Sequence, residues 1–135
     1  MSSYDSSPTI LDSASALELA ALASLNARGL VVRERDNAER NAAPYVTRSV
    51  REECGCGLSD DHHELTLSIH VRGLDRKLKE VMRLADDAER AALTVGTHLA
   101  DWQILQISVE RTRILRHKGE WTGCLSFRAM LTRKD

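Results

Sequence analysis

The feature that most constrains the fold is a regular alternation of apolar and polar residues in the middle of the chain. In the segment HELTLSIHVR, residues 63–72, Leu65, Leu67, Ile69 and Val71 are separated by single polar or charged residues. A period of two is that of a β-strand, whose successive side chains point to opposite faces. The segment therefore predicts a strand with one face in a core and the other near water.

The C-terminal third has the pattern of a long β-hairpin. The runs DWQILQISVERTRILRH, residues 101–117, and WTGCLSFRAMLTR, residues 121–133, are separated by a turn over His117–Glu120. The apolar face of the second run contains Trp121, Leu125, Phe127, Ala129 and Leu131. The hairpin therefore predicts two strands that pair with each other and contribute apolar residues to the same core.

The first strand of this hairpin changes its pattern part of the way along. Leu105, Ile107 and Val109 share one face, Arg111 and Arg113 then occupy the same parity, and Ile114 restores an apolar residue on the other parity. An extra residue in one strand exchanges the two faces. We therefore predict a β-bulge or a bend near residues 111–113.

Two helices are predicted. Ser15 and Glu18 have the spacing of a capping box, and a run rich in alanine and leucine continues as far as Gly29, so the first helix is expected over 15–28. The second helix is expected to begin at an N-cap at Asp75 and to end before Gly96. Its predicted inward face contains Leu78, Val81, Met82, Ala85, Ala88 and Ala92.

Shorter strands are predicted over Leu30–Arg35 and Tyr45–Glu53, with a polar loop over Asp36–Pro44 between them. The expected fold is α+β: a curved, mainly antiparallel sheet that ends in a long hairpin, with the two main helices packed on one face. A chain of 135 residues is one domain in length. We expect a flexible N-terminal arm over 1–14 and a single domain over 15–135.

Charge and targeting signals narrow the class of protein. The net charge is −1, from 19 basic and 20 acidic residues, whereas duplex-binding proteins usually have a strong basic excess. The N-terminus lacks the pattern of a signal peptide, and there is no apolar run of membrane-spanning length. We therefore expect a soluble protein, cytoplasmic at synthesis, whose three cysteines are reduced.

A metal site is the first chemistry to test, in the segment ECGCGLSDDHHE, residues 53–64. Cys54 and Cys56 have the spacing C-x-C rather than C-x2-C, and no second cysteine pair follows. His62 and His63 are adjacent, so they should point to opposite faces of a starting strand. A composite site of these four residues stays an alternative, and the favoured interpretation is a polar, glycine-containing connection without metal.

No catalytic group is predicted elsewhere, and we expect neither an enzyme nor a cofactor. His98, Asp101 and Ser126 lack the sequence of a nucleophile elbow. Asp86 and Asp87 are adjacent on a helix and should diverge. Cys124 is expected to be a small residue packed against a helix or a neighbour.

The hairpin offers a different kind of candidate. Arg111 and Arg113, together with Trp121 beside the turn, are candidates for a contact between subunits, because arginine and tryptophan are enriched at interfaces. The alternative interpretation is a solvated arginine face.

The order of four segments resembles a known family. APYVTRS, HHELTLSIHVRG, LADDAERAAL and ILQISVERTRILRHKGEWTGCLSFRAMLTR together are similar to the tail-terminator (tail-completion) proteins of long-tailed bacteriophages and gene transfer agents. The resemblance covers roughly residues 43–132, and the CGCG insert departs from it. It implies a small protein without catalytic residues.

The same resemblance implies a ring of six subunits on the head-proximal end of the tail tube. Such a ring stops polymerisation of the major tail tube protein and docks the head-tail connector or stopper protein. DNA would pass through it without sequence-specific binding, and no membrane is involved. The location is then the tail-head junction of the virion, and the host cytoplasm before assembly. The alternatives are a head-completion or stopper neck protein, or a small metal-binding regulatory protein.

Overall fold

The computed structural model describes residues 11–34, 44–53, 62–74 and 77–134. Within these ranges the elements follow one another as α1 (Ser13–Ala27), β1 (Tyr45–Glu52), β2 (His62–Leu74), α2 (Leu78–Leu93), a short 3-10 turn (Val95–His98), β3 (Trp102–His117) and β4 (Glu120–Arg133). The strands form one sheet in the order β1-β2-β4-β3, and each neighbouring pair is antiparallel. The predicted α+β architecture is confirmed, since both helices pack on the same face of this sheet.

The core lies between the helices and one face of the two central strands. On β2 the alternating residues Leu65, Leu67, Ile69 and Val71 are fully buried, as their period predicts. In register with them on β4 lie Ala129, Phe127, Leu125 and Gly123. Each fully buried large side chain stabilises the fold by about 1.5–3 kcal/mol. This face is called the helix face below, and the other is called the open face.

Helix α1 begins two residues earlier than predicted, and the capping box at Ser15 is wrong. The N-cap is Asp12, whose Oδ1 accepts a hydrogen bond from the backbone N–H of Ser15 at 2.7 Å. A carboxylate at this position satisfies an orphan donor of the first turn and faces the positive end of the helix dipole. This backbone hydrogen bond, followed by one from the Ser15 side chain, lowers the pKa of Asp12 from its usual value.

Replacing Asp12 by alanine is expected to lower the free energy of unfolding by about 1 kcal/mol, the usual cost of a lost N-cap. Ser15→Ala is the comparison variant, because it keeps the N–H that Asp12 binds and removes only the hydrogen bond from the Ser15 side chain, so it should cost less than Asp12→Ala. Since the folded pKa is depressed, the difference between Asp12→Ala and the parent should be full at pH 7 and shrink as the pH falls below about 4. Urea unfolding at both pH values measures it, and equal losses in the two variants would contradict this assignment of the cap.

Helix α2 presents smaller residues to the sheet than predicted. Its buried residues are Val81, Ala85, Ala88, Ala91 and Ala92. Leu78 and Met82, both expected inside, are 38% and 54% exposed, so that part of the prediction is wrong. The N-cap is Lys77, without a side-chain hydrogen bond, whereas the predicted cap Asp75 lies outside the described residues. Gly96 lies within the 3-10 turn that follows α2.

Two glycines of the sheet explain the preference for small residues. A Cβ atom at Gly73 would lie 2.1 Å from Cγ2 of Val81, and one at Gly123 would lie 3.5 Å from Cβ of Ala85. The helix therefore approaches β2 and β4 closely at both places. The side of α2 that faces β2 and β4 therefore has no room for side chains as large as Leu78 and Met82. Both lie on the flank of the helix instead.

The predicted strand over Leu30–Arg35 is wrong in extent. In the described part of this segment, one parallel bridge joins Val32 to Val46, with hydrogen bonds of 2.8 Å from the Arg33 N–H to the Val46 oxygen and from the Val46 N–H to the Val31 oxygen. Strand β1 itself is confirmed. The predicted loop over 36–44 lies outside the described residues except for Pro44.

Strand β3 contains two irregularities in its pairing with β4. One lies between Val109 and Arg111, so the predicted bulge is confirmed with Glu110 as the extra residue. The other lies between Ile104 and Gln106 and was not predicted; it leaves Leu105 unpaired. The bulge at Glu110 moves the arginines that follow it to the open face, because an inserted residue reverses the alternation.

Candidate functional site

A row of hydroxyl side chains crosses the open face of the sheet. Ser49, Ser68, Ser126 and Arg111 stand opposite one another on β1, β2, β4 and β3. Because serine is small, the row forms the floor of a groove of about 500 Å³, which we call the open-face groove. Its lining consists of Ser49, Arg51, Thr66, Ser68, Glu110, Arg111 and Ser126.

At the β1 side of this groove a carboxylate is held by two neighbours. Thr66 Oγ1 donates to Glu53 Oε1 at 2.6 Å, and Arg51 Nη2 donates to the same oxygen at 2.9 Å. The hydrogen bond from Thr66, followed by that from Arg51, lowers the pKa of Glu53. Glu53 therefore stays ionised over the ordinary pH range and forms an ion pair with Arg51.

At the β3 side a second arginine is shared by two carboxylates. Arg128 on β4 lies 3.2 Å from Glu64 and 3.3 Å from Glu110, the bulged residue of β3. Ser126 also donates to Glu110, at 3.4 Å. The bulge thus brings a carboxylate back to the open face, where it ties β3 to the centre of the sheet.

The three predicted interface residues do not form one cluster. Arg111 and Arg113 are exposed on the open face, and within the described residues neither has a hydrogen bond or an ion pair from its side chain. Trp121 is half-buried on the helix face, and the Arg116 guanidinium lies 5.3 Å from its ring centroid. The structure therefore supplies two unpaired guanidinium groups beside the groove and an aromatic group on the opposite face.

The predicted divergence of the two histidines is observed. His62 is exposed and stands opposite Thr132 on the open face. His63 Nδ1 lies 2.7 Å from Ser13 Oγ and 2.9 Å from Glu52 Oε1 on the helix face. Cys54 and Cys56 lie outside the described residues. In the rest of the chain no group of three or more His, Cys, Asp or Glu side chains is placed to hold a metal ion.

The other residues weighed for chemistry are scattered. Asp101 has a left-handed backbone, φ 68°, and accepts from the Leu11 N–H at 3.3 Å, whereas His98 is exposed in the 3-10 turn. Asp86 pairs with Arg90 at 3.1 Å and Asp87 with Arg28 at 3.7 Å, so these two carboxylates diverge.

Cys124 is half-buried on the open face, opposite His70 and Arg113. Of the two predicted environments of this thiol, packing against a helix is wrong, because both helices lie on the other face, and its neighbours are residues of the adjacent strands.

One charged residue of the helix face escaped the sequence analysis. Arg48 lies between Val46 and Val50 on that face and is 8% exposed. Its Nη1 donates to both carboxylate oxygens of Glu34, at 3.1 and 3.0 Å, and its Nε donates to the Glu18 backbone oxygen at 3.1 Å. The only sign of this residue in the sequence was that Arg48 shares its parity with Val46 and Val50, which places a charge on the side of β1 predicted to be apolar.

Comparison with known proteins identifies a solved structure with a similar fold. No protein-family model and no curated protein matches this chain. No helix in the described ranges is long and apolar enough to cross a membrane. Among solved structures, a chain of the "Virion of native gene transfer agent (GTA) particle" superposes with a TM-score of 0.73 at 18% identity. The match covers 91% of this chain and 99% of the other, so the protein shares its whole fold with a chain of a gene transfer agent virion.

Proposed function

We propose that the protein is a structural component of a virion that ends the tail tube. In this proposal six copies form a ring on the head-proximal end of the tube, stop its polymerisation and dock the head-tail connector or stopper. The observation that carries the proposal is the fold likeness over nearly the full length of a chain from a gene transfer agent particle. The ordered motifs of residues 43–132 resemble those of tail terminators. This resemblance favours the end cap of the tail tube over other virion components.

The described surface offers material for the contacts of an end cap. A cap needs contacts that close a ring and a separate face that meets the tube. Strand β3 is an edge strand of 16 residues, paired in the described part of the chain only with β4, and edge strands and exposed apolar residues are material for such contacts. In the open-face groove Ser126 donates to one oxygen of Glu110 and Arg128 to the other, so these side chains hold β3 to β4.

The proposed function makes a prediction about tail length in the absence of the protein. In a strain that lacks this gene, electron microscopy is expected to show overlong tubes of variable length, detached from heads, because nothing stops the addition of tube subunits. Complementation with the intact gene is the control. Tails of normal length beside unattached heads would move the protein to the connector or stopper, and normal particles would refute a virion role.

We further propose that Arg111 and Arg113 line a boundary between subunits or the central channel of the ring. Both guanidinium groups are exposed and unpaired within the described residues, so they are available to a partner. The double charge reversal Arg111→Glu/Arg113→Glu is expected to reduce complementation at least about tenfold, because like charges placed at a contact cost about one or more kcal/mol. Infectious or transducing particles per millilitre provide the measurement.

The matched control is Lys118→Glu/Lys134→Glu, which changes the net charge equally on exposed positions of the same hairpin. It should complement normally. If the arginine double variant also assembles rings and complements like the parent, these arginines have no part in the interface or in the channel.

A further inference from the structure

The outer face of α1 is apolar although it faces solvent. The helix contains one charged residue in fifteen, Glu18. Its inner face is buried against the sheet, yet Leu19 is 51% exposed, and Leu22 and Ala23 follow it on the same side at helical spacing. A helix that is apolar all round is normally covered on both sides. The described part of the chain covers one of them.

A second exposed apolar surface lies at the other edge of the sheet. Helix α1 packs on β1 and β2, and α2 packs mainly on β4 and β2 and reaches β3 less extensively, so the helix face of β3 is only partly covered. Val109 there is 41% exposed, and Ile104, Ile107 and Ile114 are half-buried. Met82 of α2, 54% exposed, lies on the opposite wall, and Leu78, 38% exposed, precedes it by one helical turn. We call this surface the β3 trough.

The trough has the form of a binding groove. Its deepest part is a cavity of about 200 Å³. Its lining is apolar at Met82, Ala85, Ile114 and Leu125, with one hydroxyl from Thr112, and it carries the carboxylates of Asp86 and Glu89. A groove of this kind accepts the apolar face of a helix whose flank carries positive charge.

We propose that the outer face of α1 of one copy packs into the β3 trough of the next copy. The inference rests on the proposed ring and identifies its subunit contact. The two surfaces lie at opposite edges of one sheet, over β1 and beside β3, so they cannot meet within one chain. Each leaves apolar side chains exposed in the described part of the protein.

Charge is complementary across this contact. The rim of the trough carries Asp86 and Glu89, and Glu89 has no ion pair within the described residues. The chain that leaves α1 carries Arg28, 38% exposed, and then Arg33, whereas the charge of Glu34 is engaged by Arg48. Within one copy Arg28 is paired with Asp87 and Asp86 with Arg90. The charges left for the contact are therefore Glu89 on the rim and Arg33 beside α1, which are of opposite sign.

The contact is heterologous, because it joins two different surfaces of identical chains. A repeated heterologous contact closes into a ring when its rotation divides a full turn, and otherwise forms a filament. A contact between two α1 helices or two β3 edges would instead be isologous and stop at a dimer. The proposal thus explains how one pair of surfaces can build a ring.

Single substitutions test the two sides separately. Leu19→Arg and Met82→Arg each place a charge in the apolar contact without touching the core, and each is expected to weaken association of the full chain about 100-fold or more. Gln103→Arg is the matched control: Gln103 is exposed on β3, faces the other side of the sheet and lies well away from Arg111 and Arg113 along the strand, so rings should persist. Sedimentation velocity and native mass spectrometry of the purified protein measure the assembly, and thermal unfolding verifies the fold. Leu19→Ser and Met82→Ser are the milder pair if an arginine variant unfolds.

Mixing the two variants provides the decisive result. A Leu19→Arg copy keeps an intact trough and a Met82→Arg copy keeps an intact α1, so one native contact can form between them. The other possible contact opposes two arginines. The mixture is expected to give a one-to-one dimer and nothing larger, although neither variant associates alone.

Two outcomes overturn the inference. Rings that persist in both variants, or variants that fail to associate when mixed, show that another surface holds the subunits together. A parent protein that stays monomeric at all concentrations refutes self-association through these surfaces. The tail-length experiment is independent of either outcome, so failure of this contact and failure of the proposed function can be told apart.

Discussion

Replacing the exposed residue Glu34 by alanine is expected to destabilise the protein by about 3 kcal/mol, more than replacement of its buried partner. Glu34 is 71% exposed, but the Arg48 side chain that it binds is 4% exposed. Removal of one partner of a buried ion pair leaves a charge without compensation, which costs about 3–5 kcal/mol, and the exposure of Glu34 places this pair at the lower limit. Arg48→Met removes the buried charge as well and keeps most of the volume, so we expect a loss of about 1–2 kcal/mol.

Equilibrium unfolding in urea of both variants tests this order. Glu52→Ala is the control for removal of an exposed carboxylate from the same region, because Glu52 faces His63 instead of a buried guanidinium. The double variant Glu34→Ala/Arg48→Met should be close to Arg48→Met alone. Were Glu34→Ala to cost less than Arg48→Met, water would be solvating the guanidinium in the folded state and the pair would not anchor the 30–34 segment.

Replacing Gly73 by alanine is expected to destabilise the protein by about 2–3 kcal/mol. A Cβ atom there would lie 2.1 Å from Cγ2 of Val81, a fully buried and β-branched side chain that has few alternative rotamers in a helix. Either α2 or β2 must move, and overpacking of a core costs about 1–3 kcal/mol. Gly123→Ala is the matched control, because its nearest contacts would be ordinary at 3.5 Å, and we expect a change below about 1 kcal/mol.

A double-mutant cycle identifies the cause of the Gly73 effect. Val81→Ala alone should cost about 2 kcal/mol from the cavity that it leaves. Combined with Gly73→Ala, the added methyl group fills part of that cavity, so the double variant should cost about 2 kcal/mol rather than the sum. Additive losses would show that Gly73 is needed for its backbone conformation and not for the close approach of α2.

Most strands, and the side of each that is buried, could be predicted because the alternation of apolar and polar residues is a local property of the sequence. Leu65, Leu67, Ile69 and Val71 alternate without interruption, and a register slip of one residue would expose all four. The conflict between Val109 and Arg111 also has one simple local solution, a bulge, and the structure contains it at Glu110. The bulge at Leu105 has no such signal, because apolar residues occur on both sides of it.

Capping and the inward faces of helices were harder to predict. Both Asp12 and Ser15 can act as an N-cap, and the choice of Asp12 follows from the burial of Ser13 beside His63, a contact between residues 50 positions apart. Leu78 and Met82 have the spacing of an inward face on α2. They are excluded because Gly73 and Gly123 bring the sheet so close that alanine fills the space.

At the candidate site, too, part of the arrangement could be predicted from the sequence and part depends on tertiary structure. The sequence indicated that Arg111 and Arg113 matter at a surface, but their place beside a serine-lined groove depends on the order β1-β2-β4-β3, which aligns Ser49, Ser68 and Ser126 with Arg111. The sequence by itself therefore determined the periods, and with them strands β1, β2 and β4 and the side of each that is buried. Tertiary structure alone decided strand order, the cap, the helix faces and the exposed apolar surfaces of α1 and β3, because these depend on contacts between residues far apart in the chain.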